Sequence, residues 1–295
     1  MTETPIQNVG DTAFMVAAYR AVESERADAL FRDPLADRLA GEHGRKIIAG
    51  LPKGAFVGGW SVIIRTCVID RLILEAIAEG VDTILNLGAG LDTRPYRMDL
   101  PPSLRWIEAD FPQMIEWKES KLAGETARCR LERIAVDLAD HAKREKFLTE
   151  VAANSQKTLV LTEGVILYLA PEEVTALARD LKSNPVFRYW IVDYFGPETY
   201  RYRRRKGMTR MLRNAPFRFE PADFFGFFRD LGWQPKVTRY LAEEAEQLHR
   251  PLVFPWPFQM WIKLVTFFLP SEKRAAMKRF MGYVLMEPSN GNPAA

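Results

Sequence analysis

The chain has 295 residues, 47% apolar and 27% charged, and its 41 Lys+Arg against 38 Asp+Glu leave a formal charge of +3. This composition excludes a disordered chain and lacks the clustered basic surplus of a dedicated nucleic-acid binder; at about 150 residues per domain it admits one large domain or two small ones. The two cysteines, Cys67 and Cys129, are too few for a disulfide framework or a four-cysteine zinc site, which points to the reducing cytoplasm.

The N-terminal stretch Met1 to Phe14 has neither the basic nor the apolar region of a secretory signal. From Asp11 to Arg26 the apolar set Phe14, Met15, Ala18, Tyr19 and Val22 recurs at helical spacing, with Asp11 or Thr12 as N-cap. A shorter helix is expected from Pro34 to Gly41, and the glycine-rich run Gly54 to Gly59 feeds a strong helix from Ser61 to Glu79, closed by Gly80.

Short β-branched runs then alternate with amphipathic helices. Strands are expected over Thr83 to Leu87, Leu104 to Ala109, Leu131 to Val136, Thr158 to Thr162 and Phe187 to Tyr194, with helices over Pro112 to Gly124, His141 to Ala152 and Pro171 to Ser183. The alternation predicts βαβ units and an α/β fold with a doubly wound, mostly parallel sheet. After Pro197 the expected elements are a basic helix over Glu198 to Arg213, a helix over Pro221 to Leu231 ended by Gly232, and strands over Lys236 to Tyr240 and Phe280 to Met286. Leu252 to Leu269 is the most membrane-like stretch, but Pro255, Pro257, Gln259 and Lys263 interrupt it and it is read as non-spanning. One domain is expected over 1–295: a helical preface (1–80), a ligand-binding core (81–195), and a helical, aromatic segment (196–295) that completes the sheet and covers a second substrate.

The central motif is Ile84-Leu85-Asn86-Leu87-Gly88-Ala89-Gly90-Leu91-Asp92-Thr93-Arg94, an apolar strand running straight into Gly-x-Gly. Glycines there allow a tight turn and let a nucleotide-like ligand approach the main chain. The third glycine of a dinucleotide fingerprint is replaced by Thr93, which argues against a pyrophosphate binder. Asp110 lies twenty residues past Gly90 at the end of the second strand, where a carboxylate accepts hydrogen bonds from ribose hydroxyls; Glu108 is the competing candidate. Asp137 and Leu138 follow the third strand, where an acid could accept the adenine amine and leucine pack on the ring, the alternative being a helix cap. Glu163 closes the fourth strand at the same edge. Three acidic strand ends without a phosphate-binding lysine loop suit a cationic, phosphate-free nucleoside such as S-adenosylmethionine.

Together with Thr12-Ala13-Phe14-Met15, Arg65-Thr66, Ile69-Asp70, Glu108-Ala109-Asp110-Phe111-Pro112, Asp137-Leu138 and Glu163-Gly164-Val165, these motifs resemble the leucine carboxyl methyltransferase family, and within it the bacterial branch of S-adenosylmethionine-dependent O-methyltransferases. The resemblance covers about residues 10 to 195 and implies a class I, Rossmann-like methyltransferase fold. It further implies that Arg65 pairs with the cofactor's carboxylate, Gly88 and Gly90 line the turn, Asp110 holds the ribose, Asp137 and Leu138 hold adenine, and Glu163 lies near the amine and the acceptor. Glu163 and Tyr168 are the candidate catalytic residues. Ile166-Leu167-Tyr168 departs from the family pattern before the tyrosine, so acceptor preference does not carry over.

In-line methyl transfer needs alignment and water exclusion rather than a metal. A hydroxyl acceptor needs a base, whereas a carboxylate needs only positioning, which favours a carboxylate. Of the three histidines, His43 and His141 are read as solvated and His249 as a candidate pocket base. The run Arg201, Arg203, Arg204, Arg205, Lys206, Arg210 and Arg213 is read as solvated charge, without a nucleic-acid partner. Phe254, Trp256, Phe258, Trp261, Phe267 and Phe268 are expected in core or acceptor pocket, with an interface or peripheral membrane patch as alternatives. The leading expectation is a cytoplasmic O-methyltransferase of a small organic acid or phenol in specialised metabolism. The rival is a non-catalytic nucleoside-binding or membrane-surface module on the same fold.

Overall fold

The computed structural model describes residues 8–51, 56–197, 199–200, 214, 216–254, 256–257, 259–260, 264, 268 and 270–289. The preface contains α1 (Gly10–Glu25), α2 (Ala36–Gly50) and α3 (Phe56–Ala78). The helix expected to stop at Gly41 continues to Gly50 through a kink. Gly41 takes φ 56° and ψ −162°, a conformation a Cβ would oppose, so the break in the pattern is a bend rather than an end.

The core follows as β1 (Thr83–Leu87), α4 (Arg94–Arg97), β2 (Arg105–Asp110), α5 (Pro112–Leu122), β3 (Arg130–Ala135), α6 (His141–Ala153), β4 (Thr158–Thr162), a 3-10 turn (Ile166–Tyr168), α7 (Pro171–Lys182) and β5 (Phe187–Phe195). Then come α8 (Phe224–Asp230), β6 (Trp233–Tyr240), α9 (Leu241–Gln247), α10 (Ser271–Lys278) and β7 (Met281–Pro288). The seven strands lie in the order β3-β2-β1-β4-β5-β7-β6. The first five are parallel, and β7 runs antiparallel to both β5 and β6. The order reverses between β1 and β4, and the carboxyl ends of those two strands form the edge where ligands of open α/β sheets bind.

Both central strands are buried along their whole length, as expected of parallel strands covered on two faces. Alternation divides their side chains. Ile84, Leu159 and Leu161 join Ile64, Val68 and Leu72 of α3 on one face. Leu85, Leu87 and Val160 join Phe147 of α6, Leu177 of α7 and Phe228 of α8 on the other. A separate cluster of Ala17, Ala18, Leu39, Ala40, Leu91 and Leu122 fastens the first two helices to the glycine turn and α5, so the preface stands over the binding edge.

Residues 201–213, with every member of the basic run, lie outside the described residues, as do Phe258, Trp261 and Phe267. Trp256 and Phe268 are exposed. The helices α9 and α10 were not expected from the pattern; each spans only about two turns, too short for periodicity to register. Among the described residues no helix is long and apolar enough to cross a membrane.

Candidate functional site

A cavity of about 780 Å³ opens over the carboxyl ends of β1, β2, β3 and β4. Its lining brings together Arg65, Gly88, Gly90, Asp110, Asp137, Leu138, Glu163 and Tyr168, the cofactor-binding and catalytic candidates read from the sequence. Residues 8–14, Val16 and Arg20 supply the cover. Among the described residues none after Leu169 lines the cavity; residues 201–213, Phe258, Trp261 and Phe267, from the segment expected to cover it, lie outside the described residues. His249, a candidate pocket base from the sequence, is also absent from the lining; it follows α9 at φ 53°.

The glycine turn shows why its residues are glycines. Gly88 has φ 66°, and a Cβ there would lie 2.4 Å from Val165 Cγ2, so backbone and the turn after β4 pack together without a side chain between them. Gly90 N donates to Asp110 Oδ2 at 2.6 Å and Phe111 N donates to Oδ1 at 2.7 Å. Burial raises the Asp110 carboxyl above its ordinary range, and these two N–H groups oppose the rise. Each oxygen keeps a lone pair for a further donor, so a diol can still be bound. Glu108 is excluded from that role: it is fully buried and paired with Lys118 Nζ at 2.7 Å and Arg133 Nε at 3.0 Å.

Asp137 is exposed, and its Oδ1 accepts from Ala139 N at 2.9 Å. It does not cap α6, because Asp140 accepts from Lys143 N at that position. Leu138 and Phe111 provide apolar wall beside it, and Phe14, Met114 and Trp117 continue that wall toward α1.

The opposite end is a buried ion network. Arg65 Nε lies 2.9 Å from Glu163 Oε1, and Arg94 Nη1 lies 2.9 Å from Glu163 Oε2. The Arg65 approach lacks the direction of a hydrogen bond, leaving a buried donor without a hydrogen-bond partner inside a cavity. Burial disfavours the Arg65 charge, but Tyr283, Glu163 and Asp193 outweigh it and hold the guanidinium firmly protonated. Arg94, 1% exposed, also reaches Asp70 at 2.7 Å and Asp92 at 2.8 Å. Burial works against the Asp92 charge too, yet Arg94, Lys118 and Arg20 hold it below the usual carboxylate range. Thr93, which stands where a dinucleotide turn has glycine, donates its hydroxyl to Asp33 at 2.6 Å; Asp33 lies 3.1 Å from Arg20 of α1. The turn is thereby tied to its cover.

Three residues have a place in the site that sequence reasoning did not assign; Asp11, expected with Thr12 as an N-cap, instead lies inside the first turn of α1, which begins at Gly10. Asp11 lines the cavity and its Oδ1 is 2.8 Å from His43 Nε2, so this half-exposed histidine serves a cavity residue rather than standing free in solvent. Arg94 was quoted in the motif without a role, although a basic residue after Asp92 and Thr93 was the available signal. Asp193 had no sequence signal beyond a charge inside an apolar strand.

Similarity to known proteins agrees with this geometry. The sequence profile of the leucine carboxyl methyltransferase family matches residues 13–182, more than half of the chain. A Frankia alni protein is 32% identical over 272 residues, covering 83% of this chain and 88% of its own. A Streptomyces avermitilis protein is 38% identical over 266 residues, covering 83% and 89%. Both are provisionally named S-adenosyl-L-methionine-dependent methyltransferases. Among solved structures, a DUF574-family protein from Streptomyces avermitilis superposes with a TM-score of 0.55 at 13% identity, covering 94% of this chain and 97% of that one, a likeness of fold.

Proposed function

The chain belongs to the leucine carboxyl methyltransferase family and is an S-adenosylmethionine-dependent methyltransferase, and from that premise we propose that it methylates an oxygen of a small organic molecule, a carboxylate or a phenolic hydroxyl, in specialised metabolism in the cytoplasm. The observation that carries this reading is Glu163, held by two arginines in the same cavity as Tyr168 and the glycine turn. The residues fit the cofactor: the Cβ-free cradle at Gly88, the unbonded Arg65 Nε and the spare lone pairs of Asp110 answer a nucleoside joined to an amino acid. About 780 Å³ also lies within the usual range for a ligand site.

When bound, S-adenosylmethionine supplies a methyl group already activated by its sulfonium. Arg65 then reads the amino-acid carboxylate, for which a guanidinium is suited by its paired donors. Asp110 accepts from the ribose hydroxyls, Asp137 from the adenine amine, and Leu138 packs on the base. Glu163 faces the ammonium and, with Tyr168, the acceptor, whose approach they orient. The preface, core and C-terminal segment work as one methyltransferase unit, with α1 excluding water from the cavity.

A carboxylate acceptor needs no base. For a hydroxyl acceptor, Asp11 with His43 at its back is the available carboxylate–imidazole pair to take the proton. The test is incubation with methyl-labelled S-adenosylmethionine and a panel of organic acids and phenols, read by mass spectrometry. A labelled ester or ether is expected. Labelled products confined to amines or thiols would overturn oxygen as the acceptor atom.

A further inference from the structure

The proposed chemistry leaves unused a carboxylate directly beneath Glu163. Asp193 of β5 is buried and sits opposite Tyr283 in the antiparallel pairing with β7. Tyr283 Oη donates to its Oδ1 at 2.7 Å, and Gly164 N donates to its Oδ2 at 2.8 Å. One oxygen therefore clamps the peptide that follows Glu163, while the other is fixed by a tyrosine of the neighbouring strand. Neither residue lines the cavity. Among the described residues, the charged and titratable groups that act most strongly on Asp193 are Tyr283 from β7, Arg65 from α3 and Glu163 from the end of β4.

A buried carboxylate is costly where only packing is required. Burial pushes Asp193 up to about 6, and Tyr283, Arg65 and Gly164 N oppose that rise. Arg65 in turn divides its counter-charge between Glu163 and Asp193. Resting on the cofactor reading above, we propose that Asp193, oriented by Tyr283, is a positioning residue for the amino-acid half of the cofactor. It holds Glu163 through the Gly164 backbone and Arg65 through charge, in the arrangement that receives a zwitterionic ammonium and carboxylate.

The experiment is calorimetric titration of the whole protein and its Asp193→Asn variant with S-adenosylhomocysteine and, separately, with adenosine, which lacks the amino-acid half. At a pH well above 6 the variant should bind S-adenosylhomocysteine roughly ten-fold more weakly, about what one charge-assisted hydrogen bond contributes, while adenosine binds both proteins alike. As pH falls through about 6, the parent's affinity should approach that of the variant, which lacks this step. Tyr283→Phe removes a donor that favours the ionised carboxylate, so the step should move to higher pH. The Asp193→Asn thermal midpoint above pH 6 should not fall, because asparagine carries no buried charge. Equal affinity for S-adenosylhomocysteine in parent and variant, equal losses for both ligands, or the same pH step in the variant would overturn the positioning role. A parent that binds neither ligand would overturn the cofactor reading, and this inference with it.

Discussion

At one end of the cavity Asp110 and Asp137 stand at strand ends, held by nearby backbone N–H groups, with Leu138 as apolar wall; at the other, Arg65, Arg94, Asp70, Asp92, Glu163 and Asp193 form one largely buried network drawn from four segments of the chain. The first end is cheap to build, since each carboxylate keeps its neighbours' backbone company and part of its solvation. The second carries opposing charges out of water and is stable only while they remain paired. The two ends should therefore fail differently: at the nucleoside end a substitution costs affinity, and at the amino-acid end removing a positive charge shared by several carboxylates also costs the fold.

Arg94→Met is the severest test of that contrast. It leaves Asp70, Asp92 and Glu163 with a shared positive partner removed, and breaking such a buried arrangement costs about 3–5 kcal/mol. Urea unfolding should show that loss; a change within about 1 kcal/mol would mean the network is not held by Arg94. Next in size, Asp110→Ala should weaken S-adenosylhomocysteine and adenosine equally, by about 1–3 kcal/mol, without comparable unfolding. Arg65→Lys should instead weaken S-adenosylhomocysteine about ten-fold and leave adenosine unchanged, because an ammonium cannot reproduce a guanidinium's paired donors. Calorimetry with both ligands separates the two variants, and a shared loss pattern would erase the distinction between the ends.

Legibility in the sequence follows the same division. The strands β1 to β5, the turn at Gly88 and the acid twenty residues beyond Gly90 are local patterns, and they stand where periodicity and spacing place them. The network is long-range: Asp193 meets Tyr283 across 90 residues, and Arg94 joins α3, the turn and the end of β4. Charge alone suggests solvent for such residues, and no spacing rule pairs them. The cover shows the same limit. Helical spacing in α1 told that one face is buried, but not that residues of this helix line the cavity. Likewise His43 reads as a solvated histidine until α2 is folded against α1 and brings it to Asp11.

The smallest expected effect lies at the outermost point of the nucleoside end. Asp137 is exposed, and its Oδ1 already accepts from Ala139 N, so removing its charge should alter nucleoside binding by less than about 1 kcal/mol. Affinity alone would barely register this, but selectivity should. Inosine carries a carbonyl oxygen where adenosine has the exocyclic amine, so a carboxylate at 137 accepts from adenosine and repels inosine. In Asp137→Asn the side-chain amide can also donate, and the preference for adenosine over inosine should shrink by a few-fold while adenosine itself is bound nearly as before. Competition titrations with the two nucleosides measure the ratio directly. A ratio identical to the parent's would leave the base to the apolar contact at Leu138, and the nucleoside end would then rest on Asp110 and the glycine turn.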